Sequence, residues 1–296
     1  MASGRLGKPS PWLLIAPMLV VIVATVGYPI VLTLWLAFTD ARLMSGVSAA
    51  HFQGFDNFVY ALTDADFLAA AGRTIYFTLV SVGAEAILGV LVALLLNEEF
   101  RGRTFCRALL VLPWALPTIV NAIMWRLVYQ PDFGVLNALL TQSGLMEAYR
   151  SWLGSPDSAM NAVIVADVWK NYPLVALIVL AALQGAPADL YQAATLDGAN
   201  AWHRFRAVTW PVIAPPLLVA LVLRSIEALK VFDIVYVMTR GGPASTTKTM
   251  SFFVYEESFR FMRVGSGASY ALIVVLICMV FVTLYVRLMR QEGASA

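Results

Sequence analysis

The chain has 296 residues, of which 60% are hydrophobic and 13% charged, and its mean hydropathy is +0.77. That leaves too little polar surface to clothe a water-soluble globule of this length, so the protein is integral to a membrane. A net charge of +2 with scattered basic residues excludes nucleic acid as a partner, and Cys106 and Cys278, without paired spacing, make neither a disulfide frame nor a zinc site.

A membrane-spanning helix needs about 20 mainly apolar residues. Six stretches qualify, near 12–38, 73–96, 106–129, 161–184, 209–238 and 268–288. The expected fold is all-α, a polytopic membrane protein of six transmembrane helices forming one domain over 1–296. Arg5 and Lys8 precede the first stretch as they would a secretory signal, but its apolar run is longer than a signal core and lacks a small-x-small cleavage site, so it reads as an anchor. Pro29, Pro113, Pro117, Pro173, Pro215 and Pro216 fall within spans. Membrane helices tolerate proline where neighbours re-satisfy the freed carbonyls, and kinked helices suit a moving pore.

Lys and Arg resist transfer across the bilayer and mark cytoplasmic segments. Arg5 and Lys8 lie before the first span, Arg101, Arg103 and Arg107 between the second and third, Arg204 and Arg206 between the fourth and fifth, and Arg287 and Arg290 at the end. These segments alternate along the chain and share one side, which predicts cytoplasmic N- and C-termini. Two of the opposite loops lean acidic, through Asp40, Asp56, Asp64 and Asp66 and through Asp132, Glu147 and Asp157. The third departs from the rule, since Arg240, Lys248, Arg260 and Arg263 stand there beside Glu256 and Glu257.

The loop 185–211 is thereby expected in the cytoplasm. Pro187 to Leu196 has apolar residues at helical spacing, Asp197-Gly198 supplies a turn, and Ala199 to Val208 resumes the spacing with Trp202, Phe205 and Val208 on one face. Two short helices at an angle would present an apolar knob ringed by Asp197, Arg204 and Arg206, a shape suited to docking in a partner's groove. An amphipathic linker lying on lipid headgroups is the other reading of the same residues.

The spacing in this loop resembles the EAA motif of bacterial ABC-importer permeases: Glu-Ala-Ala, three residues, Gly, nine residues, Ile, one residue, Leu-Pro. Gln192, Ala193, Ala194, Gly198, Val208, Trp210 and Pro211 occupy those positions, with Gln for Glu, Val for Ile and Trp for Leu as departures. Shorter elements extend the likeness to the carbohydrate-uptake branch of the family. They are Gly54-Phe55-Asp56-Asn57-Phe58, Phe133-Gly134-Val135-Leu136-Asn137, Asp197-Gly198-Ala199 and Thr239-Arg240-Gly241-Gly242-Pro243, in the family's order.

The resemblance implies a type I ABC-importer permease fold in a bacterial cytoplasmic (inner) membrane. It also implies a homologous second permease, an extracytoplasmic solute-binding protein, a small-molecule sugar substrate and two ABC ATPase subunits. Those subunits would dock on the coupling loop through Gln192, Ala193, Ala194, Asp197, Gly198, Trp202, Arg204, Phe205 and Pro211. Gln192 lacks the charge of the family's Glu, so an ion pair at that point is not carried over. The chain has no Gly-x-x-x-x-Gly-Lys-Ser/Thr loop. Any ATP and Mg are therefore expected on the partner subunits, and no cofactor is expected in this chain.

A charge at membrane depth is costly and faces a cavity or a partner. The fourth span opens with Asp167, Lys170, Asn171 and Tyr172 ahead of Pro173, and the fifth holds Arg224, Ser225, Glu227, Lys230 and Asp233. Arg224, Glu227, Lys230 and Asp233 follow one another at three-residue intervals and can pair along a helix. One reading is a self-neutralising ladder; the other is a solute pathway of Asn121, Asp167, Lys170, Asn171, Tyr172, Arg224 and Glu227, the regions in which family substrate contacts fall. Trp114 and Trp125 would offer aromatic faces to a sugar ring, or anchor the chain at the membrane interface. Lys170 and Arg224 would suit an anionic sugar derivative, although Asp167 and Glu227 can cancel them.

No catalytic residue or metal site is expected. The histidines are His51 and His203, and no His-Glu-x-x-His occurs. The rival to an ATP-driven permease is a proton-coupled secondary transporter or channel that uses the span-five charges. Such transporters commonly carry internal repeats, and none is visible between the two halves of the chain.

Overall fold

The computed structural model of the protein describes residues 11–46 and 50–293, so Arg5 and Lys8 lie outside the described residues. Regular structure among the described residues is helical, apart from isolated bridges between Thr39 and Phe52 and between Arg42 and Arg263. Five helices are long and apolar enough to cross a membrane, or six if one bent pair counts as a single span. The chain divides into two compact units, one of Met1–Asp64 with Val254–Ile273 and the other of Ala65–Phe253 with Val274–Ala296.

In the first unit, α1 (Pro11–Ile22) continues through a π-turn, Val23–Gly27, into α2 (Tyr28–Leu36). Pro29 cannot donate a backbone hydrogen bond and its ring crowds the carbonyl four residues back, so the helix widens just ahead of it. Among the described residues, none in the apolar window of this span is buried. A short helix, α3 (Asp56–Thr63), follows, and Asn57 Nδ2 donates to the carbonyls of Ala37 (3.0 Å) and Thr39 (2.8 Å). The Gly-x-x-Asn-Phe element thus ties off carbonyls that the end of the first span leaves without helical partners.

The remainder of this unit accounts for the basic loop between the fifth and sixth expected spans. A π-turn, Glu256–Arg260, precedes α14 (Val264–Gly293), and Arg260 pairs with Glu256 at 2.7 Å and Arg263 with Glu257 at 2.8 Å. Two of the cations that break the charge rule are therefore held by neighbouring carboxylates.

The second unit is organised by α4 (Ala65–Asn97), α8 (Pro156–Gln184) and α11 (Trp210–Leu229), which pack on one another. Between them run α5 (Arg103–Ala115), α6 (Thr118–Val128) and α7 (Val135–Gln142), and α9 (Ala188–Leu196) with α10 (Ala201–Arg204) precedes α11. After α11 come α12 (Asp233–Met238) and α13 (Met250–Tyr255). Tight packing of α4 on α8 depends on Gly89: a Cβ there would lie 2.6 Å from Val175 Cγ1. Val175, Ala176, Val179 and Leu180 of α8 bury against Ala93 and Leu96 of α4 and Ile213 and Leu217 of α11.

Two expected spans are interrupted. The stretch 106–129 is a pair of helices bent by 97°, because Pro117 drives Leu116 out of the helical region (φ −70°, ψ 135°) and ends α5 at Ala115. The stretch 209–238 is helical only to Leu229; Lys230 closes the last turn and Phe232 (φ −138°, ψ −59°) separates it from α12.

The other family elements also prove to be loop fastenings. Asn137, fully buried, donates from Nδ2 to the carbonyls of Pro131 (3.1 Å) and Arg150 (3.0 Å) and accepts from Trp152 Nε1 (2.8 Å). A side chain at Gly134 would strike the carbonyl of Gln130. Gly241 is left-handed (φ 82°) and packs so closely on Lys248 and Phe252 that a Cβ would come within 2.8 and 2.9 Å of them.

Candidate functional site: a charged cavity and the loop 185–211

Glu85 lies one helical turn before Gly89, and Asp167 and Asn171 lie two turns and one turn before Val175. The close approach of α4 and α8 at Gly89 therefore brings these polar groups together. Arg224 of α11 meets them there, only 3% exposed. Its Nε donates to Glu85 Oε2 (2.6 Å) and its Nη2 to Glu85 Oε1 (2.9 Å) and Asp167 Oδ2 (3.1 Å), while Nη1 donates to Glu227 Oε2 (2.5 Å). Asn171 Nδ2 donates to Asp167 Oδ1 at 2.9 Å. Three membrane helices are thus tied at one point by charge-assisted bonds, which repay the desolvation of these groups.

Beside this cluster is a cavity of about 380 Å³, lined by Asp167, Lys170, Asn171, Arg224 and Glu227 together with Thr118 and residues 228 and 230–234. Of the expected pathway residues, Asn121 and Tyr172 are not in its wall. Asn121 is fully buried and donates to the Ala166 carbonyl at 3.1 Å, and Tyr172 packs in the apolar core of α4, α8 and α11. The three-residue ladder also fails beyond its first rung. Arg224 pairs with Glu227, but α11 ends at Leu229, and among the described residues Lys230 forms no ion pair with Glu227 or Asp233.

Glu85 was not anticipated. Its sequence signal is a lone carboxylate in the middle of an otherwise apolar span, which demands a partner at membrane depth. Trp125 is engaged by Trp169 (5.9 Å between ring centroids, edge-on) and Tyr129 (5.3 Å), while Trp114 is exposed.

The loop before α11 forms two short helices joined by a turn. Gly198 is left-handed (φ 74°), and the amide of Ala199 donates to the Ala194 carbonyl at 3.0 Å to close α9. Asn200 caps α10 by accepting from the His203 amide at 2.9 Å. Arg204 Nη1 donates to Thr195 Oγ1 (3.2 Å) and Tyr191 bonds Thr209 (3.2 Å), so the two helices are laced together. A π-turn, Phe205–Thr209, leads to Pro211 at the start of α11, as the one in the first span leads to Pro29.

The apolar knob differs in one respect from expectation. Trp202 stacks on Phe205 (5.7 Å) and Phe205 contacts Trp210 (6.3 Å), whereas Val208 is buried. The most outward of its large apolar groups are Leu196, 89% exposed, and Trp202, 66% exposed. Gln192, Ala193, Asp197 and Gly198 lie at the exposed surface of the same loop, with Ala194 half-buried.

Arg107 of α5 fastens this face of the second unit. Its Nη2 donates to the Leu96 carbonyl at 2.8 Å, and Gln184, with its amide oxygen turned inward, accepts from Nη1 and Nη2 at 3.0 and 2.8 Å. The ends of α4 and α8 and the start of α5 meet there, immediately before the loop.

Residues 85–291 match the family model of the binding-protein-dependent transport system inner membrane component. The chain belongs to this family of ABC-importer permeases. Within it, the permease is 37% identical over 279 residues to the trehalose/maltose transport system permease protein MalF of Thermococcus litoralis, covering 94% of this chain and 93% of that one. It is 33% identical over 280 residues to the sulfoquinovosyl glycerol transport system permease protein SmoG of Agrobacterium fabrum, covering 95% and 90%. The fold matches the crystal structure of a bacterial ABC transporter involved in the import of the acidic polysaccharide alginate, with a TM-score of 0.82 at 23% identity over 95% of this chain and 96% of that one. The permease is accordingly a multi-pass membrane subunit of a carbohydrate ABC importer and not an enzyme.

Proposed function

We propose that this permease and a homologous second permease enclose the pathway of a sugar or sugar derivative delivered by an extracytoplasmic binding protein. Two separate ATPase subunits seat on the loop 185–211, bind ATP and Mg, and pass their closing motion through Trp202, Leu196 and the laced helices into α11. Both chain termini lie on the ATPase side. The cavity beside Arg224 is the solute pathway on this subunit, with Asp167, Lys170, Asn171 and Glu227 facing it. The observation that carries this reading is a cavity of about 380 Å³ lined by polar side chains of α8 and α11, helices otherwise buried by apolar packing.

Such a wall suits hydroxyl groups, each of which donates one hydrogen bond and accepts others. The relatives named for trehalose/maltose and sulfoquinovosyl glycerol support a sugar or sugar derivative as the cargo. The decisive experiment is uptake by the reconstituted complex. Accumulation of labelled sugar that requires ATP, the ATPase subunits and the binding protein, and that survives collapse of the proton gradient, is the expected result. Uptake that follows the proton gradient without ATP would assign the span-five charges to a proton relay instead.

A further inference from the structure

A second cavity, of about 430 Å³, lies at the end of α8 remote from the loop 185–211. Asn161, Ala162 and Val165 of α8 line it, whereas Asp167, Lys170 and Asn171 line the charged cavity. At about 100° per residue the two sets are centred on opposite sides of the helix, about 180° apart. The body of α8 therefore separates this cavity from the one beside Arg224. Its other wall is aromatic. Trp125, Tyr129 and Trp152 follow one another with ring centroids 5.3 and 6.4 Å apart and planes tilted by 38° and 40°, so the three rings curve into a concave face. Trp152 is fixed from both sides, since its indole donates to Asn137 (2.8 Å) and its carbonyl accepts from Ser158 (2.6 Å).

The rim of this cavity carries one charge of each sign. The Arg150 guanidinium stands 4.0 Å over the Trp152 ring, and Asp157 lies in the first turn of α8. Both are exposed, and among the described residues neither is in an ion pair. Asn161 accepts from the Tyr76 hydroxyl (2.7 Å) through its amide oxygen, and its two N–H donors are uncommitted. Deeper along α8, Val165 leaves an apolar side chain 50% exposed at the cavity wall. Charged rim, aromatic wall and apolar floor follow in the order in which a bilayer passes from water to hydrocarbon, and Trp and Tyr gather at that boundary.

We propose that this cavity seats the headgroup of a zwitterionic glycerophospholipid, of the phosphatidylethanolamine kind, from the leaflet at that end of α8. Its phosphate takes the Arg150 fork and the Asn161 amide. Its ammonium meets Asp157 and the aromatic faces, which attract a cation within about 6 Å. Its acyl chains descend past Val165. A sugar would stack on the same rings yet leave both rim charges unmatched, and an anionic lipid would leave Asp157 facing charge of its own sign. The lipid bridges α6 and α8 on the side away from the charged cavity, so the proposal stands apart from the sugar-permease reading.

The test is native mass spectrometry of the whole complex, delipidated in detergent and titrated with equal amounts of phosphatidylethanolamine and phosphatidylglycerol. The expected result is one phosphatidylethanolamine retained per copy of this permease, preferred about fivefold, the scale of an exposed charge pair. Asp157→Lys should turn that preference toward phosphatidylglycerol, and Arg150→Gln should lower retention of both. On the unaltered complex, glycerophosphoethanolamine, which has the headgroup without acyl chains, should compete weakly and a neutral disaccharide not at all. Displacement by the disaccharide would make the cavity a sugar subsite and overturn the proposal. Displacement by glycerophosphoethanolamine as effective as by the lipid would overturn it in favour of a soluble zwitterion. A lipid preference unchanged by Asp157→Lys, or no retained lipid in a complex whose second permease covers the cavity, would overturn it while leaving the sugar-permease reading untouched.

Discussion

Glu85 of α4 and Arg224 of α11 form a two-pronged ion pair, at 2.6 and 2.9 Å, between positions 139 apart in the chain. Both are buried, so removing either leaves the other charged group without its main partner. Glu85→Ala should destabilise the second unit by about 3–5 kcal/mol. Replacing both with apolar residues, Glu85→Leu with Arg224→Met, should restore only part of that stability, because buried Asp167 also loses its bond to Arg224, and should not restore transport, since Glu227 then loses its anchor. Thermal unfolding in detergent and sugar uptake, measured on the same three proteins, separate the two effects. A double variant that lost more stability than Glu85→Ala would show that the pair is not energetically coupled.

Gly89 sets the spacing of α4 and α8. Because a Cβ at this position would lie 2.6 Å from Val175 Cγ1 and 3.1 Å from the Ala176 backbone nitrogen, Gly89→Ala should cost about 1–3 kcal/mol by overpacking. Val175→Ala in the same chain should recover part of the loss, because the nearest clashing atoms belong to that side chain. The midpoint of thermal unfolding reports both. No loss in the single variant would mean that the helices can part there at little cost.

Gly198 tests the loop separately from the membrane helices. No heavy atom lies within 4 Å of where its Cβ would be, so the only penalty for a side chain is the left-handed backbone at φ 74°. That penalty is about 1–2 kcal/mol for Ala and smaller for Asn. Gly198→Ala should therefore leave the membrane core intact while reducing sugar-stimulated ATP hydrolysis by the assembled complex, and Gly198→Asn should retain more of it. Identical activity for both variants would show that this turn does not transmit motion.

Asn137 carries a comparable prediction for a segment apart from the loop 185–211 in the chain. Its side chain satisfies two backbone carbonyls and the Trp152 indole, and replacing it with Ala strands all three. Leaving buried polar groups unpaired costs about 1–3 kcal/mol each before relaxation or entering water relieves it. Asn137→Ala should loosen the segment from Pro131 to Trp152, visible as faster hydrogen exchange there, with the loop 185–211 unchanged. Exchange that rose equally in both places would indicate global destabilisation.

The apolar spans and the paired short helices of the loop were legible because hydropathy and spacing are local signals. Even the 97° break after Ala115 was written locally, in the constraint that Pro117 places on Leu116, although proline in a membrane helix more often bends than ends it. The site was legible only in part. Asp167, Lys170, Asn171, Arg224 and Glu227 declare themselves as polar groups in apolar spans and do meet at one cavity.

What no local pattern reveals is which of them face one another. Three-residue spacing predicted a ladder within one helix, whereas Arg224 turns to Glu85 and Asp167 on two other helices, and the helix that would have carried the ladder stops at Leu229. Asn121 illustrates the opposite error. Its side chain serves the Ala166 carbonyl across a packed contact, a partner set by the tertiary arrangement of α6 and α8.

Arg107 touches a main-chain carbonyl at the end of α4 and a side-chain amide at the end of α8, and its own backbone belongs to α5. A push on the segment that follows Gln184 therefore cannot be absorbed by α8 alone without rupturing bonds to its two neighbours. The three helix ends form a single handle, so a displacement of the loop is shared among α4, α5 and α8 instead of being taken up by one helix.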